Sequence, residues 1–383
     1  MRPCIIIPGI QGSALQNTYP ISPQTTWSTL TIIGERFTPP DFKSLALDDA
    51  AVADRDEYVI SRPSQLLEIA YGPLVQALQG RLGVPAYVFP YDWRYSIVHS
   101  AQALVRYLKQ LQQKSLPSIA GWDHQFDCAV HSMGGLVLRA FLDEWQKSEH
   151  SPPPVAQIVF IATPHRGALD AAVALISGET PWFGGRKELR KLARTFPAVY
   201  ELLPTFPQAV VRGGQELDIF NENNWQKNTV EPDENNSGFD VQQVHLTAAK
   251  SVLEHLPLPT DPAFQIPPTN QLVIYGNKPD AVMVQVEVGP DPDRWYNFDG
   301  ARKGPGDDVV PVQSAQLAGV ASIEIRADDI SYFHPIERGM VATDMHAFLP
   351  ALDEVATIVG RFFGEQRGLA LLPKGLPASR FHS

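Results

Sequence analysis

The chain of 383 residues can bury a large core, since 44% of its residues are hydrophobic and 19% are charged. Its formal net charge of −11, with no block of about five or more Lys and Arg residues, argues against nucleic acid as a partner. No run of about 18 uncharged apolar residues occurs, so the sequence predicts no membrane span. The N-terminal apolar run is too short for a signal peptide, and both cysteines, Cys4 and Cys128, fall in predicted buried strands. We therefore expect a leaderless protein without disulfides in a reducing cytoplasm.

Apolar runs and helical patterns alternate along the chain. Continuous apolar runs predict strands that are buried on both faces, and apolar residues spaced by three and four predict helices. In chain order we expect strands over 4–8, 85–89, 127–131, 157–161, 271–276 and 319–325, and helices over 72–82, 101–116, 136–145 and 352–363. A hairpin is expected between 282–288 and 294–296. The alternation predicts an α/β protein with a mostly parallel central sheet flanked by helices.

Ser132 lies between a predicted strand and a predicted helix, in the sequence Val-His-Ser-Met-Gly-Gly. We interpret it as a nucleophile on a sharp strand-to-helix turn, where small neighbours are needed because two backbones pass closely. Gly134 and Gly135 supply small residues on the far side of the serine. Val130 stands where such turns usually have glycine, and the short motif alone is also compatible with an ordinary buried turn.

The loop after the first strand, Gly9-Ile10-Gln11-Gly12, can turn its main-chain N–H groups toward one point. Together with the serine turn, this loop predicts an oxyanion hole, in which main-chain N–H groups stabilise the charge on the substrate oxygen. The expected donors are Ile10, with Gln11 as an alternative, and Met133. Because the donors belong to the backbone, the side chains at these positions matter little.

The acid that would orient a catalytic histidine is expected in Gly-Asp-Asp-Val-Val-Pro, after a late strand. Asp307 is the preferred residue and Asp308 the alternative, because two adjacent carboxylates cannot both face one imidazole. A pair of neighbouring carboxylates can also bind a hard cation, but no further ligand spacing is present, so we expect no metal and no cofactor.

The expected base is His346, which comes directly before the last predicted helix. His334 is the alternative, although Pro335 follows it. His165 comes before every candidate acid, whereas the chain order of α/β-hydrolases is serine, acid and then histidine, so we interpret His165 as a residue of the site rim or of the scaffold.

These residues predict an acyl-transfer mechanism. His346 would remove the proton from Ser132 as the hydroxyl attacks an ester carbonyl, and Asp307 would fix the imidazole tautomer. Water would then release the acid from the acyl-enzyme, or an alcohol would accept the acyl group.

Substrate contacts are expected from Gln11, from His131 and from the loop Tyr91, Asp92 and Trp93. That loop follows a predicted strand, and ligands of open α/β sheets bind beyond the carboxyl ends of the strands. An Asp92–Arg94 pair that only braces the loop is the simpler interpretation of the charges there.

The sequence pattern predicts three parts of the chain: a core in two segments, a cap and a tail. Residues 1–169 and 266–367 form the expected core, and 170–265 interrupt it as a cap or lid over the site. Residues 368–383 are expected to form a loosely attached C-terminal tail.

The sequence resembles the lecithin:cholesterol acyltransferase and lysosomal phospholipase family. The resemblance spans roughly residues 3 to 363 and rests on an ordered set of motifs: Pro-Gly-Ile-Gln-Gly-Ser, Tyr-Asp-Trp-Arg, His-Ser-Met-Gly-Gly, Thr-Pro-His-Arg-Gly, Thr-Phe-Pro-Ala-Val-Tyr-Glu-Leu-Leu-Pro and Gly-Asp-Asp-Val-Val-Pro. It implies an α/β-hydrolase fold, the triad Ser132, Asp307 and His346, and the oxyanion donors Ile10 and Met133. Family members also have a residue other than glycine near the position of Val130.

The chain departs from the secreted animal members, which carry disulfides and an N-terminal lipid-docking module. A lipoprotein or lysosomal role is therefore not implied. We expect a serine esterase or lipase that hydrolyses acyl esters, with phospholipids or other lipids as plausible substrates. The alternative is an acyltransferase that passes the acyl group to an alcohol. Transient contact with a membrane or micelle surface fits either activity.

Overall fold

The computed structural model describes residues 2–17, 22, 24–27, 45–47, 61–81, 83–113, 122–180, 189–230, 240–258, 261, 264–290, 296–326 and 344–383. Its strands are β1 Cys4–Ile7, β2 Ser13–Asn17, β3 Gln24–Trp27, β4 Ser61–Leu66, β5 Ala86–Val88, β6 Phe126–His131, β7 Val155–Ile161, β8 Val210–Arg212, β9 Gln215–Glu216, β10 Gln271–Glu287, β11 Arg302–Gly306, β12 Ser322–Arg326 and β13 Phe381–His382.

The α-helices are α1 Glu68–Gln76, α2 Ile97–Gln113, α3 Met133–Glu149, α4 Asp170–Ile176, α5 Leu189–Ala193, α6 Pro197–Tyr200, α7 Lys227–Val230, α8 Gln243–His255, α9 Val312–Ala315, α10 Met345–Phe348 and α11 Asp353–Phe363. A π-helical turn, Ala77–Arg81, follows α1. Within the described parts of the chain, none of the helices has both the length and the apolar composition required to cross a bilayer.

A central sheet organises the molecule. Its strands run in the order β13-β12-β10-β7-β6-β1-β5, and all neighbours from β12 to β5 are parallel. A separate antiparallel sheet has the order β3-β2-β4. The predicted α/β architecture with a mostly parallel sheet is confirmed.

Both faces of the central sheet are covered, which explains why its strands are continuous apolar runs. Cys128 and Val130 of β6 point to one side and pack in the cluster that includes residues of α2 and α3. Ala129, between them, points to the other side, where α1 and α11 contribute the apolar cover. Because Val130 points into this core layer, the turn at Ser132 tolerates a branched residue there.

The two glycines after Ser132 allow α3 to begin very close to its neighbouring strands. A Cβ atom on Gly134 would lie 2.5 Å from the carbonyl oxygens of both Ile7 and Pro8, at the end of β1. A Cβ atom on Gly135 would meet the side chain of Thr163, just after β7. The close contacts are thus with the two flanking strands, in addition to the strand that the helix has just left.

The predicted hairpin differs in the structure. Residues 282–288 belong mostly to β10, which continues unbroken from 271, and their antiparallel partner is β11. Only an isolated bridge joins Val288 to Tyr296, and residues 291–295 lie outside the described residues. The Gly- and Pro-containing sequence of β11 has little strand propensity, so its tertiary pairing overrides the local signal.

The C-terminal residues 368–383 were expected to be loosely attached, but the structure packs them on the core. Leu371 is buried in the cluster on the α11 side of the sheet. β13 adds an antiparallel edge strand to β12, with Phe381 opposite Ile323. Apolar residues between the prolines and glycines of this segment pack against the core and attach it.

We expect Gly134→Ala to destabilise the fold. The new methyl group would collide with main-chain oxygens at the end of a central strand, which cannot shift without disturbing the sheet. Overpacking of this kind costs about 1–3 kcal/mol, which urea unfolding followed by circular dichroism would measure. Gly80→Ala is the matched control, since nothing lies within 4 Å of the added methyl. A Gly134→Ala protein as stable as the Gly80→Ala protein would contradict the close packing.

Candidate active site

Ser132 lies at the sharp turn between β6 and α3. Its backbone has φ 52° and ψ −130°, a conformation that side-chain-bearing residues rarely adopt. Its N–H donates to the carbonyl of Ile161 at 2.9 Å, and its own carbonyl accepts from the N–H of Gly135 at 3.0 Å. These bonds hold the strained turn between two neighbouring elements.

A hydrogen-bonded chain joins Ser132 to two residues from the far end of the sequence. The Nε2 atom of His346 lies 2.8 Å from the hydroxyl oxygen of Ser132, and its Nδ1 atom lies 2.8 Å from Oδ2 of Asp307. The other oxygen of Asp307 accepts from the N–H groups of Val309 and Val310, at 3.2 and 2.7 Å. All three side chains are buried.

The adjacent residue Asp308 has a different partner. Its Oδ2 atom accepts from the ammonium group of Lys278 at 2.5 Å and from the N–H of Met345 at 2.8 Å. A φ of 85° at Asp308 turns its carboxylate away from the imidazole that Asp307 faces. Asp307 thus contacts the imidazole ring of His346, whereas Asp308 binds the main-chain N–H of Met345, the preceding residue. His334, the alternative base, lies outside the described residues.

The loop after β1 packs directly on Ser132. A Cβ atom on Gly9 would lie 2.7 Å from that of Ser132, so only glycine permits this approach. The N–H of Gly12 donates to the carbonyl of Gly9 at 3.0 Å, which closes a tight turn with Ile10 and Gln11 at its centre. Gln11 has a φ of 60° and a buried side chain, whose amide nitrogen has no hydrogen-bond partner among the described residues. Ile10 follows Gly9 in this turn and Met133 follows Ser132, and their role as oxyanion donors stays a prediction.

A model of the lecithin:cholesterol acyltransferase family matches residues 84–272, which include the turn at Ser132. Over these residues the chain is similar to that family. The expected family resemblance is confirmed. No curated protein matches the chain in sequence.

Solved structures with a similar fold were also found. The protein is similar to a chain in the Tle4–Tli4 complex, with a TM-score of 0.60 and 14% identity over 95% of this chain and 98% of that chain. Other matches are the lipase BlEst2 of Bacillus licheniformis, with a TM-score of 0.38, 13% identity and coverage of 85% and 83%, and the phospholipase PlaB of Legionella pneumophila. PlaB gives a TM-score of 0.37 and 13% identity, and the matched region covers 82% of this chain and 46% of PlaB. The chain has the α/β-hydrolase fold.

Burial and nearby carboxylates act on the pKa of His346 in opposite directions. Burial disfavours the charged imidazolium, but the charge and hydrogen bond of Asp307, with further carboxylates at Asp344 and Asp170, more than offset it and raise the pKa of His346. The site therefore stabilises an imidazolium, the species that forms when a histidine accepts a proton from serine.

Asp170, at the start of α4, was not identified from the sequence. Burial raises its pKa to about 7; the charge of His346 opposes this rise, and those of Asp307 and Asp344 add to it. An aspartate beginning a short helix carries no signal that it will lie near a site formed by distant segments. Sequence reasoning also missed Lys278 and Tyr71, which contact the site through Asp308 and His131.

The loop Tyr91 to Arg94 braces the loop after β1. Tyr91 donates its hydroxyl to the carbonyl of Pro8 at 2.9 Å, and Trp93, fully buried, donates its indole N–H to the carbonyl of Ser13 at 3.1 Å. Asp92 pairs with the buried Arg94 at 2.6 Å. These bonds give the loop a supporting role, and direct substrate contact by Tyr91, Asp92 or Trp93 stays a prediction.

His131 and His165 also have defined environments. Both ring nitrogens of His131 are engaged, with the hydroxyl of Tyr71 at 2.8 Å and the carbonyl of His346 at 3.0 Å, so its predicted substrate contact would have to displace one of them. His165 packs edge-on against Phe160, and neither of its ring nitrogens has a hydrogen-bond partner among the described residues. Within the described chain, no group of three or more His, Cys, Asp and Glu residues is arranged to hold a metal ion.

We expect the imidazole of His346 to titrate above the ordinary histidine pKa of about 6.5, so that it becomes a neutral base only at higher pH. Asp307→Asn removes the nearest negative charge and should shift this titration to lower pH, as NMR of labelled histidine would show. Glu149→Gln is the control, because Glu149 pairs with Lys109 at the far end of α3. An unchanged His346 titration in Asp307→Asn would refute this electrostatic account.

Proposed function

We propose that the protein is a serine hydrolase of acyl esters, in which Ser132 is the nucleophile, His346 the general base and Asp307 the acid that orients it. The observation that carries the proposal is the continuous chain from Asp307 through His346 to Ser132, with 2.8 Å at each step. The similarity to the lecithin:cholesterol acyltransferase family over residues 84–272 supports an ester-processing enzyme.

In the first half-reaction, the Ser132 oxygen attacks the ester carbonyl while Nε2 of His346 takes the hydroxyl proton. Asp307 holds Nδ1–H and stabilises the imidazolium without taking the proton itself. The N–H groups of Ile10 and Met133 receive the oxyanion, where the loss of one donor typically costs about 100-fold or more in rate. His346 then gives its proton to the leaving alcohol, and an acyl-enzyme forms.

In the second half-reaction, water attacks the acyl-enzyme. His346 takes a proton from the water and returns one to Ser132 as the acid leaves. The serine and the base are thereby restored.

Lipid esters are the proposed substrate class. The family description names a lipid acyl donor and a lipid alcohol, and residues 170–265 are proposed as the cap that covers the acyl chain. Two large apolar side chains are exposed near α8 of this segment, Val244 at 63% and Leu258 at 52%. Exposed apolar residues close to a cap suit transient contact with a membrane or micelle surface.

We expect turnover of p-nitrophenyl esters, measured over a series of acyl chains from about two to sixteen carbons. Ser132→Ala should abolish it, leaving a residual rate about 10⁶-fold below the wild-type kcat. The chain-length profile separates a short-acyl esterase from a lipase. Equal rates for wild type and Ser132→Ala would exclude Ser132 as the nucleophile.

Acyl transfer is the second candidate, favoured by the acyltransferase in the family description. Products are to be analysed with and without a long-chain alcohol or sterol as acceptor. A hydrolase releases free acid at the same rate in both cases, because water is its acceptor. Turnover that depends on the alcohol and yields ester with little free acid would replace hydrolysis by transfer while keeping the same triad.

A further inference from the structure

A second chain of hydrogen bonds connects the two sides of the site. The N–H of Gly9 lies 3.0 Å from the hydroxyl oxygen of Tyr71, on α1. The same hydroxyl lies 2.8 Å from Nδ1 of His131. The Nε2 atom of His131 lies 3.0 Å from the main-chain carbonyl of His346. The loop after β1 and the backbone of the base are thus joined through two buried side chains.

The direction of every bond is determined. A carbonyl only accepts, so Nε2 of His131 must carry the hydrogen that it donates to His346. Burial, and the neighbouring imidazole of His346, lower the pKa of His131 well below its usual value, so its ring is neutral and Nδ1 is an acceptor. Tyr71 therefore donates its O–H to Nδ1 and accepts from Gly9 with its oxygen.

The hydroxyl of Tyr71 also lies close to the other end of the tight turn. A Cβ atom on Gly12 would lie 2.8 Å from this hydroxyl, and Gly9 itself packs on Ser132. The hydroxyl thus touches both ends of the turn that has Ile10 and Gln11 at its centre. A turn that is held at both ends keeps its central N–H groups in place when charge develops next to them.

We propose that Tyr71 and His131 are positioning residues that fix the oxyanion loop and the backbone of His346 relative to each other. They act on the reaction through these two groups and do not touch the substrate. The proposal rests on the proposed function, since it assigns Ile10 and His346 their roles in ester cleavage. It gives His131 a task other than substrate binding and adds Tyr71, which lies on a helix outside the family motifs.

A neutral His131 also suits the reaction. The two imidazole rings lie 5.1 Å apart between centroids. A positive charge on His131 would repel the imidazolium that forms on His346 during proton transfer, and this repulsion is strong in a buried site. The hydrogen bond to Tyr71 occupies Nδ1, the only nitrogen of the neutral ring that could take a further proton.

Tyr71→Phe is the first test, because it removes one hydroxyl and leaves the aromatic ring. We expect kcat for a p-nitrophenyl ester to fall by about 10- to 100-fold, as is typical when reacting groups are misplaced by a fraction of an ångström to one ångström. KM should stay within about twofold, because no substrate contact is lost. The labelling rate of Ser132 by an activated phosphonate should fall in parallel.

Tyr107→Phe is the matched control. Its hydroxyl donates to the carbonyl of Val88 at 2.8 Å, away from Ser132. Both variants lose a tyrosine hydroxyl, so both measure the cost to stability, but only Tyr71→Phe should lower kcat. Equal kcat in Tyr71→Phe and wild type, or equal losses in the two variants, would overturn the proposal.

Two substitutions of His131 test its hydrogen bond to the carbonyl of His346. His131→Gln retains an N–H that can reach toward the carbonyl of His346, whereas His131→Leu retains none. We expect His131→Gln to keep more of the wild-type kcat than His131→Leu at comparable thermal stability. If the two variants lose activity equally, the hydrogen bond to His346 has no positioning role.

A measurement without substrate separates this proposal from the proposed function. NMR of ¹⁵N-labelled histidine should show His131 neutral at pH 7 with its hydrogen on Nε2, and Tyr71→Phe should change the Nδ1 signal. A charged His131, or a hydrogen on Nδ1, would overturn the proposed positioning role of Tyr71 and His131, whether or not any ester is hydrolysed. If the wild-type protein is labelled by the phosphonate but hydrolyses no ester, the proposed substrate class fails. The labelling rates of wild type and Tyr71→Phe then still test the positioning role.

Discussion

The strained backbone at Ser132 is the constraint on which the rest of the site depends. A φ of 52° at a residue with a side chain costs about 1–3 kcal/mol and persists only where the surroundings leave no alternative. Here the start of α3 fits between β1 and β7 because Gly134 and Gly135 have no side chains. The same packing that enforces the strain brings the loop after β1 against the serine. The proposed nucleophile and the proposed oxyanion loop therefore come from one packing arrangement, and neither is positioned independently.

The histidine and its acid reach the serine through a second close approach, at Gly276 of β10. A Cβ atom there would lie 2.7 Å from that of Asp307 and 3.0 Å from the thioether of Met345. The chain leaves the sheet along β10, returns antiparallel on β11 and delivers Asp307 to this point. Asp308 then binds the backbone of Met345, so the acid loop and the histidine loop hold each other in place. Residues separated by more than two hundred positions in sequence meet because several carboxyl ends of parallel strands share one edge.

The sequence was sufficient for the fold class and for naming Ser132, Asp307 and His346 as preferred candidates, which the structure brings together. Apolar runs locate buried strands, and the chemistry of such sheets collects at their carboxyl ends. The choice between Asp307 and Asp308 depended on the register of β11 and on a φ of 85°, and neither leaves a mark in composition. Tyr71 escaped notice for a related reason, since a tyrosine within a helix looks like core until its hydroxyl is seen to contact Gly9 and His131. Local patterns predict elements, whereas contacts between distant loops are set by tertiary packing.

Tertiary contacts also limit how the segment 170–265 can move. Arg139, buried on α3 seven residues after the serine, donates to the carbonyls of His165, Leu256 and Pro257 at 3.1, 3.2 and 3.0 Å. These carbonyls lie just before the segment and near its end, so one guanidinium holds both of its connections to the helix that follows Ser132. Burial of the guanidinium lowers its pKa to about 10, which still leaves it charged at neutral pH, so its hydrogen bonds to these carbonyls are charge-assisted. An opening of the proposed cap would therefore bend the segment between these connections, because displacing the connections would take these three carbonyls away from a buried charge.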